Sequence, residues 1–155
     1  MPKYSVRHSV ATAASATLFL ACWQAIATTQ LRRFKLIDIV LGFNTAPADN
    51  QQELLVARCT VAQVGAAATP TPSPFDAADA AACFQASTGT YATTTPTAGV
   101  TVLTFAMNQR NTIRWSAAPG EEVTASSTAG NGLGVLSNII SAGTPTLSIM
   151  AVIDE

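Results

Sequence analysis

Short runs of β-branched and aromatic residues recur along this chain, and Gly, Pro, Asn or Asp cuts each one off before a helix of useful length can form. KYSVRHSV opens the series, with Tyr4, Val6 and His8 on one face and Lys3, Ser5 and Arg7 on the other. That period of two is a strand signal. FKLIDIVLGF (residues 34–43) interleaves Phe34, Leu36 and Val40 with Lys35 and Asp38, and QELLVARCTVAQV (52–64) reads as one long strand. Pro47, Asp49 and Asn50 supply a turn between these two segments. Pro119-Gly120 and Gly130-Asn131-Gly132 supply later turns, and TLSIMAVI (146–153) closes the chain as a strand. Val100–Met107 and Thr112–Ser116 are expected to form a hairpin around Asn108-Gln109. About eight or nine short strands in one chain of this length predict an all-β, antiparallel, jelly-roll-like sandwich, residues 1–155 forming a single domain.

Two segments depart from the pattern. SATLFLACWQAIATTQLRR (15–33) has basic residues ahead of it and an apolar middle ending in Ala25-x-Ala27, the layout of a secretory leader. Thr17, Gln24, Thr28 and Thr29 interrupt that middle, so a buried strand over Thr17–Thr28 is the expectation. The run is also too short for a membrane-spanning helix, which needs about 20 apolar residues. The second departure is a Pro/Ala/Thr-rich insertion over 65–99, where Pro70, Pro72 and Pro74 bar a continuous ladder. DAADAAACFQ (76–85) within it is expected to be a short helix capped by Asp76, with the rest a long loop against another surface.

Charged residues make up 11% of the chain and apolar ones 48%. An ordinary domain carries about 25% charge, so a surface this neutral is expected to face other subunits. The net charge of −1 includes no basic run longer than Arg32-Arg33, which argues against nucleic-acid binding. Cys22, Cys59 and Cys83 are odd in number and lack metal-ligand spacing. They read as small buried hydrophobes in a protein made in a reducing cytoplasm.

No catalytic constellation is present in this pattern, and no metal or cofactor site is expected. His8 is the only histidine, so no triad can be built on any other position and no two-His metal site or HExxH arrangement is possible, and His8 itself reads as a strand residue near the amino terminus. Asp76 and Asp79 suit a capped turn, and Cys83 has no His or Lys neighbour in sequence to activate it. Gly130–Gly134 lacks the GK[ST] ending of a phosphate loop, and turn geometry accounts for its glycines. Trp23, inside an apolar strand, is expected in the core. Arg110, Arg114 and Trp115 are candidate interface anchors, weighed against a core Trp between solvated charges. Arg32, Arg33 and Lys35 are candidates to meet an acidic surface.

The carboxy-terminal run NTIRWSAAPGEEV, the Gly-rich turn after it and the terminal SIMAVIDE resemble small jelly-roll decoration (cement) proteins of tailed-bacteriophage capsids. LRRFKLIDIVLGFNTAPADNQQELLVARCTV and TPTPSPFDAADAAACFQA fit the same pattern, whereas LFLACWQAI is more apolar than the resemblance implies. What the resemblance implies is a homotrimer on the outside of the virion, bound to the major capsid protein and without enzymatic activity. In that setting the strand Met1–Val10 is expected to contribute to assembly and to reach a neighbouring subunit. The alternatives are a receptor- or carbohydrate-binding head of a viral fibre and an exported bacterial surface protein.

Overall fold

The computed structural model describes residues 1–12, 19–25, 31–45, 47–94, 96–139 and 145–155. Their twelve strands are β1 (Lys3–Ala11), β2 (Phe19–Ala25), β3 (Lys35–Thr45), β4 (Gln51–Thr60), β5 (Val64–Ala68), β6 (Ser73–Pro74), β7 (Phe84–Thr94), β8 (Thr97–Asn108), β9 (Thr112–Ser116), β10 (Val123–Thr124), β11 (Gly132–Ile139) and β12 (Thr146–Asp154). They form two six-stranded antiparallel sheets. The first runs β10-β3-β12-β1-β6, with β9 also on β3, and the second runs β5-β7-β2-β11-β4-β8.

The pairings are nested. The first strand pairs with the last (β1·β12), β2 with β11, β3 with β9 and β4 with β8. The predicted insertion, β5 to β7, hangs at the innermost point of this nest. The chain leaves the ladder at Thr60 and rejoins it at Thr97, directly opposite.

Alternation explains which faces meet. Tyr4, Val6, Leu36, Leu41, Ile149 and Ile153 of the first sheet pack against Trp23, Leu54, Val56, Leu133 and Val135 of the second in one core, which makes the fold a sandwich. Each fully buried Leu, Ile or Val there contributes roughly 1.5–3 kcal/mol of transfer free energy. β2 lies inside the second sheet, and all seven of its residues are buried, as a strand covered on both faces must be. Its far face carries a second apolar cluster of Phe19, Cys22, Ala57, Cys59 and Leu136, with Ala66 of β5 packed on it. The insertion therefore lines a second, smaller core. β7 takes a positive φ of 86° at Gly89, midway along its length.

Four expectations need correction. No helix occurs among the described residues: Asp76 caps one turn only, accepting from Ala78 N at 2.9 Å, and the Asp79 N–H bonds Asp76 O at 3.0 Å. Phe84 and Gln85 instead begin β7, opposite Ala25 and Gln24. The Phe84 ring is buried against Tyr4 and Phe34 at centroid distances of 5.9 and 5.2 Å. A helix of this length is marginal in water, so Ala-rich propensity yields to burial of that ring. The 65–99 insertion is likewise strand-rich, with even Ser73–Pro74 making a two-residue edge pairing with Tyr4 and Ser5.

Thirdly, β8 and β9 form no hairpin with each other, because β8 pairs with β4 in one sheet and β9 with β3 in the other. Gln109 sits at the crossing with none of its surface exposed, its side chain accepting from Ala48 N at 3.0 Å and donating to Gln52 Oε1 at 3.4 Å. A residue buried there carries the chain across the sandwich instead of back along the same sheet. Finally, the expected 52–64 strand breaks after Thr60, where Val61 adopts φ 70°, a left-handed conformation that β-branched residues rarely take. The strand predicted at the amino terminus is present, and its partner is the chain's own β12 along its whole length.

Candidate interaction surfaces

The outer face of the first sheet gathers the sequence-predicted residues of β3 and β9. Val40 lies opposite Arg114, and Ile39 opposite Trp115. Arg114 therefore points outward, while Trp115 turns inward, half-buried, and packs against the main core. The Arg114 guanidinium grips Asp38 with both edges of its fork, Nε reaching Oδ1 at 3.2 Å and Oδ2 at 3.0 Å and Nη2 reaching Oδ2 at 2.5 Å. The Asp38 carboxylate, through hydrogen bonding first and charge second, holds the Arg114 pKa above its ordinary value. Arg114 is thus fixed in direction and locally neutralised.

Lys35, at the start of the same strand, lies 4.0 Å from Glu122. Glu122 also accepts from Gly120 N at 3.1 Å, and its pKa is lowered first by that bond. Arg32 and Arg33 are exposed just ahead of β3, so they lie at the same end of that strand as Lys35. Arg110 stands apart, exposed in the turn where Asn111 N bonds Asn108 O at 2.9 Å. The structure therefore brings Lys35, Arg114 and Trp115 onto one strand pair and leaves Arg110 at the end of the sandwich.

Beside that pair lies an open cleft, walled by Lys3, Asp38, Glu122, Val152 and Asp154 with Phe75 among its lining residues. Phe75 is 64% exposed, an unusual position for a large apolar ring. Asp38 and Glu122 already have the partners named above, and Asp154 Oδ1 is buried with none among the described residues. Of the lining residues only Phe75 lies in the Pro-rich insertion that the sequence places against another surface. Nothing in the local sequence marked Asp154.

The one histidine belongs to the interior. β1 places His8 on the Tyr4/Val6 face, where Trp23 Nε1 donates to its Nε2 at 2.9 Å and its Nδ1 meets Thr88 Oγ1 at 2.5 Å. Trp is only a donor, so Nε2 is the unprotonated nitrogen and Nδ1–H donates to Thr88. Desolvation pushes the pKa of His8 down to about 4. Alternation alone assigned His8 to this face, but its Trp23 and Thr88 partners had no sequence signal.

Cys22 and Cys59 are buried as expected, and no disulfide forms among the three cysteines. Burial, followed by the Glu155 carboxylate, pushes the Cys83 thiol up to about 12, so it remains protonated at neutral pH. Among the described residues no three His, Cys, Asp or Glu side chains are grouped to hold a metal ion. No described helix is long and apolar enough to cross a membrane. No family model, curated protein or solved structure matches the chain.

Proposed function

We propose that this protein acts through its surface and not through chemistry, as a trimeric decoration protein on the outside of a bacteriophage capsid. The observation that carries the reading is how little charge the surface offers. With 11% charged residues, of which Arg114–Asp38 and Lys35–Glu122 are already paired, large apolar side chains such as Phe75, Val100 and Met150 stand exposed among Thr and Ser. Surfaces of that kind are typical of chains that bury themselves against others. The nested strand pairing supports the jelly-roll form of the sandwich, the plan in which the first strand meets the last and each next strand the next from the end. That plan recurs in viral capsid and lectin domains. In this role Arg32, Arg33 and Lys35 form a basic edge toward an acidic major capsid protein, and Arg114 is a pre-oriented anchor. No cofactor, nucleic acid or membrane enters the role, and the setting is the virion surface after synthesis in the host cytoplasm.

The test is native mass determination of the purified chain together with binding to capsids that lack it. A trimer that binds saturably and raises the temperature at which heads rupture is the expected outcome. A chain that stays monomeric at high concentration and leaves rupture unchanged would refute the reading. The exposed Phe75 ring at the cleft favours the second reading, a binding head, because such sites use aromatic platforms. Phe75→Ala would then abolish attachment to host cells while leaving the melting temperature unchanged.

A further inference from the structure

The cleft beside Phe75 is floored by the outer face of the first sheet. One row of that face runs Ser5, Val152, Asp38, Ser116 across β1, β12, β3 and β9, three strand spacings or about 14 Å. Phe75 forms one wall, its N–H bonded to Lys3 O at 2.8 Å. The turn through Pro119 to Glu122 forms the other, and Ala117 N ties it to Ile37 O at 2.9 Å. Backbone hydrogen bonds therefore hold both walls to the floor, as in a preformed binding site. The cleft volume of about 440 Å³ falls within the roughly 300–1,000 Å³ of small-ligand sites. Its polar groups are of two kinds. Asp38 and Glu122 have their charge answered by Arg114 and Lys35. Lys3 and Asp154 lie opposite each other across β1·β12, yet neither has an ion-pair partner among the described residues. The Phe75 ring, 64% exposed, and the exposed Ser116 complete the site.

We propose that this cleft binds a neutral saccharide, with a pyranose ring lying on the face of Phe75 and its hydroxyls bonded to Lys3, Asp154 and the two paired carboxylates. The groups left unsatisfied select this ligand class. Three carboxylates, Asp38, Glu122 and Asp154, stand beside three cations, Lys3, Lys35 and Arg114, so the site draws in neither a cation nor an anion by net charge. A wholly apolar ligand would cover Lys3 and Asp154 without giving them partners, which costs more than contact with one ring returns. A zwitterion would answer those two groups but leave Asp38, Glu122 and Ser116 without a donor. A sugar meets every demand. Its C–H face packs on the electron-rich face of the Phe75 ring. Its hydroxyls accept from the Lys3 ammonium and donate to carboxylate oxygens, which keep free lone pairs even when ion-paired. The saccharide site presupposes the binding-head reading and gives it a ligand class.

The wild-type chain is first screened on an array of neutral α- and β-linked oligosaccharides of glucose, galactose, mannose and N-acetylglucosamine. The tightest binder is then titrated into isotope-labelled protein and followed by amide NMR. Saturable shifts centred on Phe75, Ser116, Val152 and Asp154, equal at low and high salt, are the expected result. Phe75→Ala should weaken binding by roughly tenfold with an unchanged melting temperature, and Phe75→Trp should retain it. Silence across the array, shifts centred elsewhere, or a folded Phe75→Ala variant that binds as tightly as wild type would overturn the proposal. Choline and free lysine are the charged probes, and shifts at these residues from either one but from no saccharide would also overturn it. If Phe75→Ala does not fold, the wild-type shift map alone decides. Saccharide binding by a chain that never attaches to host cells would keep this site and remove the binding-head reading. Attachment lost in Phe75→Ala, with no saccharide bound by wild type, would do the reverse.

Discussion

Between pH 7.5 and pH 5, acidification should destabilise this fold through the burial of His8. Its pKa lies near 4 in the folded chain, against an ordinary 6.5. For a base whose folded pKa is depressed, the unfolded chain takes up the proton first. Stability is therefore complete above about pH 6.5 and is lost as the pH falls toward 4, with no further loss from this group below that. The full difference is about 3 kcal/mol at 1.36 kcal/mol per pH unit, and about 2 kcal/mol of it has gone by pH 5. Geometry gives the same sign, because protonation would place a hydrogen on Nε2, where Trp23 Nε1 already donates from 2.9 Å. A loss of 2 kcal/mol is a large share of the roughly 5–15 kcal/mol that holds a domain together. The assay is urea denaturation at pH 7.5 and pH 5 for wild type and for His8→Gln, which keeps a donor and an acceptor but does not titrate. Wild type should lose about 2 kcal/mol more than the variant over that interval. Because the chain has one histidine, its imidazole resonances give the pKa directly by NMR. Equal losses in both proteins, or an imidazole that titrates near 6.5, would refute the reasoning.

Gly134→Ala should destabilise the fold by about 2–4 kcal/mol in denaturant melts, since its Cβ would lie 2.4 Å from Phe19 Cδ1 and 2.7 Å from Ala21 O. Phe19→Leu combined with it should restore part of the loss, whereas Gly120→Ala, with open space around its Cβ, should cost less and only through its positive φ of 91°. Gln24→Leu removes donors to Val61 O at 2.8 Å and Gly130 O at 2.6 Å and an acceptor for Gln63 N at 3.2 Å. It should cost about 2–3 kcal/mol and raise hydrogen exchange at Gln63 before the β4·β8 ladder opens.

Legibility of the fold followed the range of the forces involved. Alternation is local, so β1 and β12 could be read from Tyr4/Val6 and Leu147/Ile149 with boundaries close to those observed, whereas in β3 a register shift opposite Val152/Ile153 turns Ile39 and Leu41 inward and puts Val40, expected beside Phe34 and Leu36, on the outer face. Partner choice is not local. Asn108-Gln109 has hairpin composition, and only the burial of Gln109 beneath Ala48 and Gln52 sends β9 to the other sheet. Ala-rich 76–85 has helix propensity, and only the space between Tyr4 and Phe34 makes Phe84 worth more in a strand. Turn chemistry explained Gly130, with φ 79°, but not Gly132 or Gly134, which are strand residues. A Cβ on Gly132 would fall 1.8 Å from Trp23 O, and one on Gly134 would strike the Phe19 ring, so close approach keeps both bare. For the candidate surface, residue types picked out Arg114 and Trp115 together. The alternation that separates them, one outward onto Asp38 and one inward onto the core, follows from their adjacency on β9.

The insertion leaves and re-enters the β4·β8 ladder at one rung, Thr60 opposite Thr97. Within it β7 is held by its own ladder to β2 and puts Phe84 and Ala86 into the main core, so that strand cannot be exchanged freely. The stretch ahead of β7 is under fewer constraints: it supplies Ala66 as a cover for Phe19, Cys22 and Cys59 and the two-residue pairing of Ser73–Pro74 with β1. The segment between β5 and β7 is therefore where descendants of such a chain would diverge most freely in length, and where a foreign peptide could be displayed, provided β5 and β7 keep their ladder.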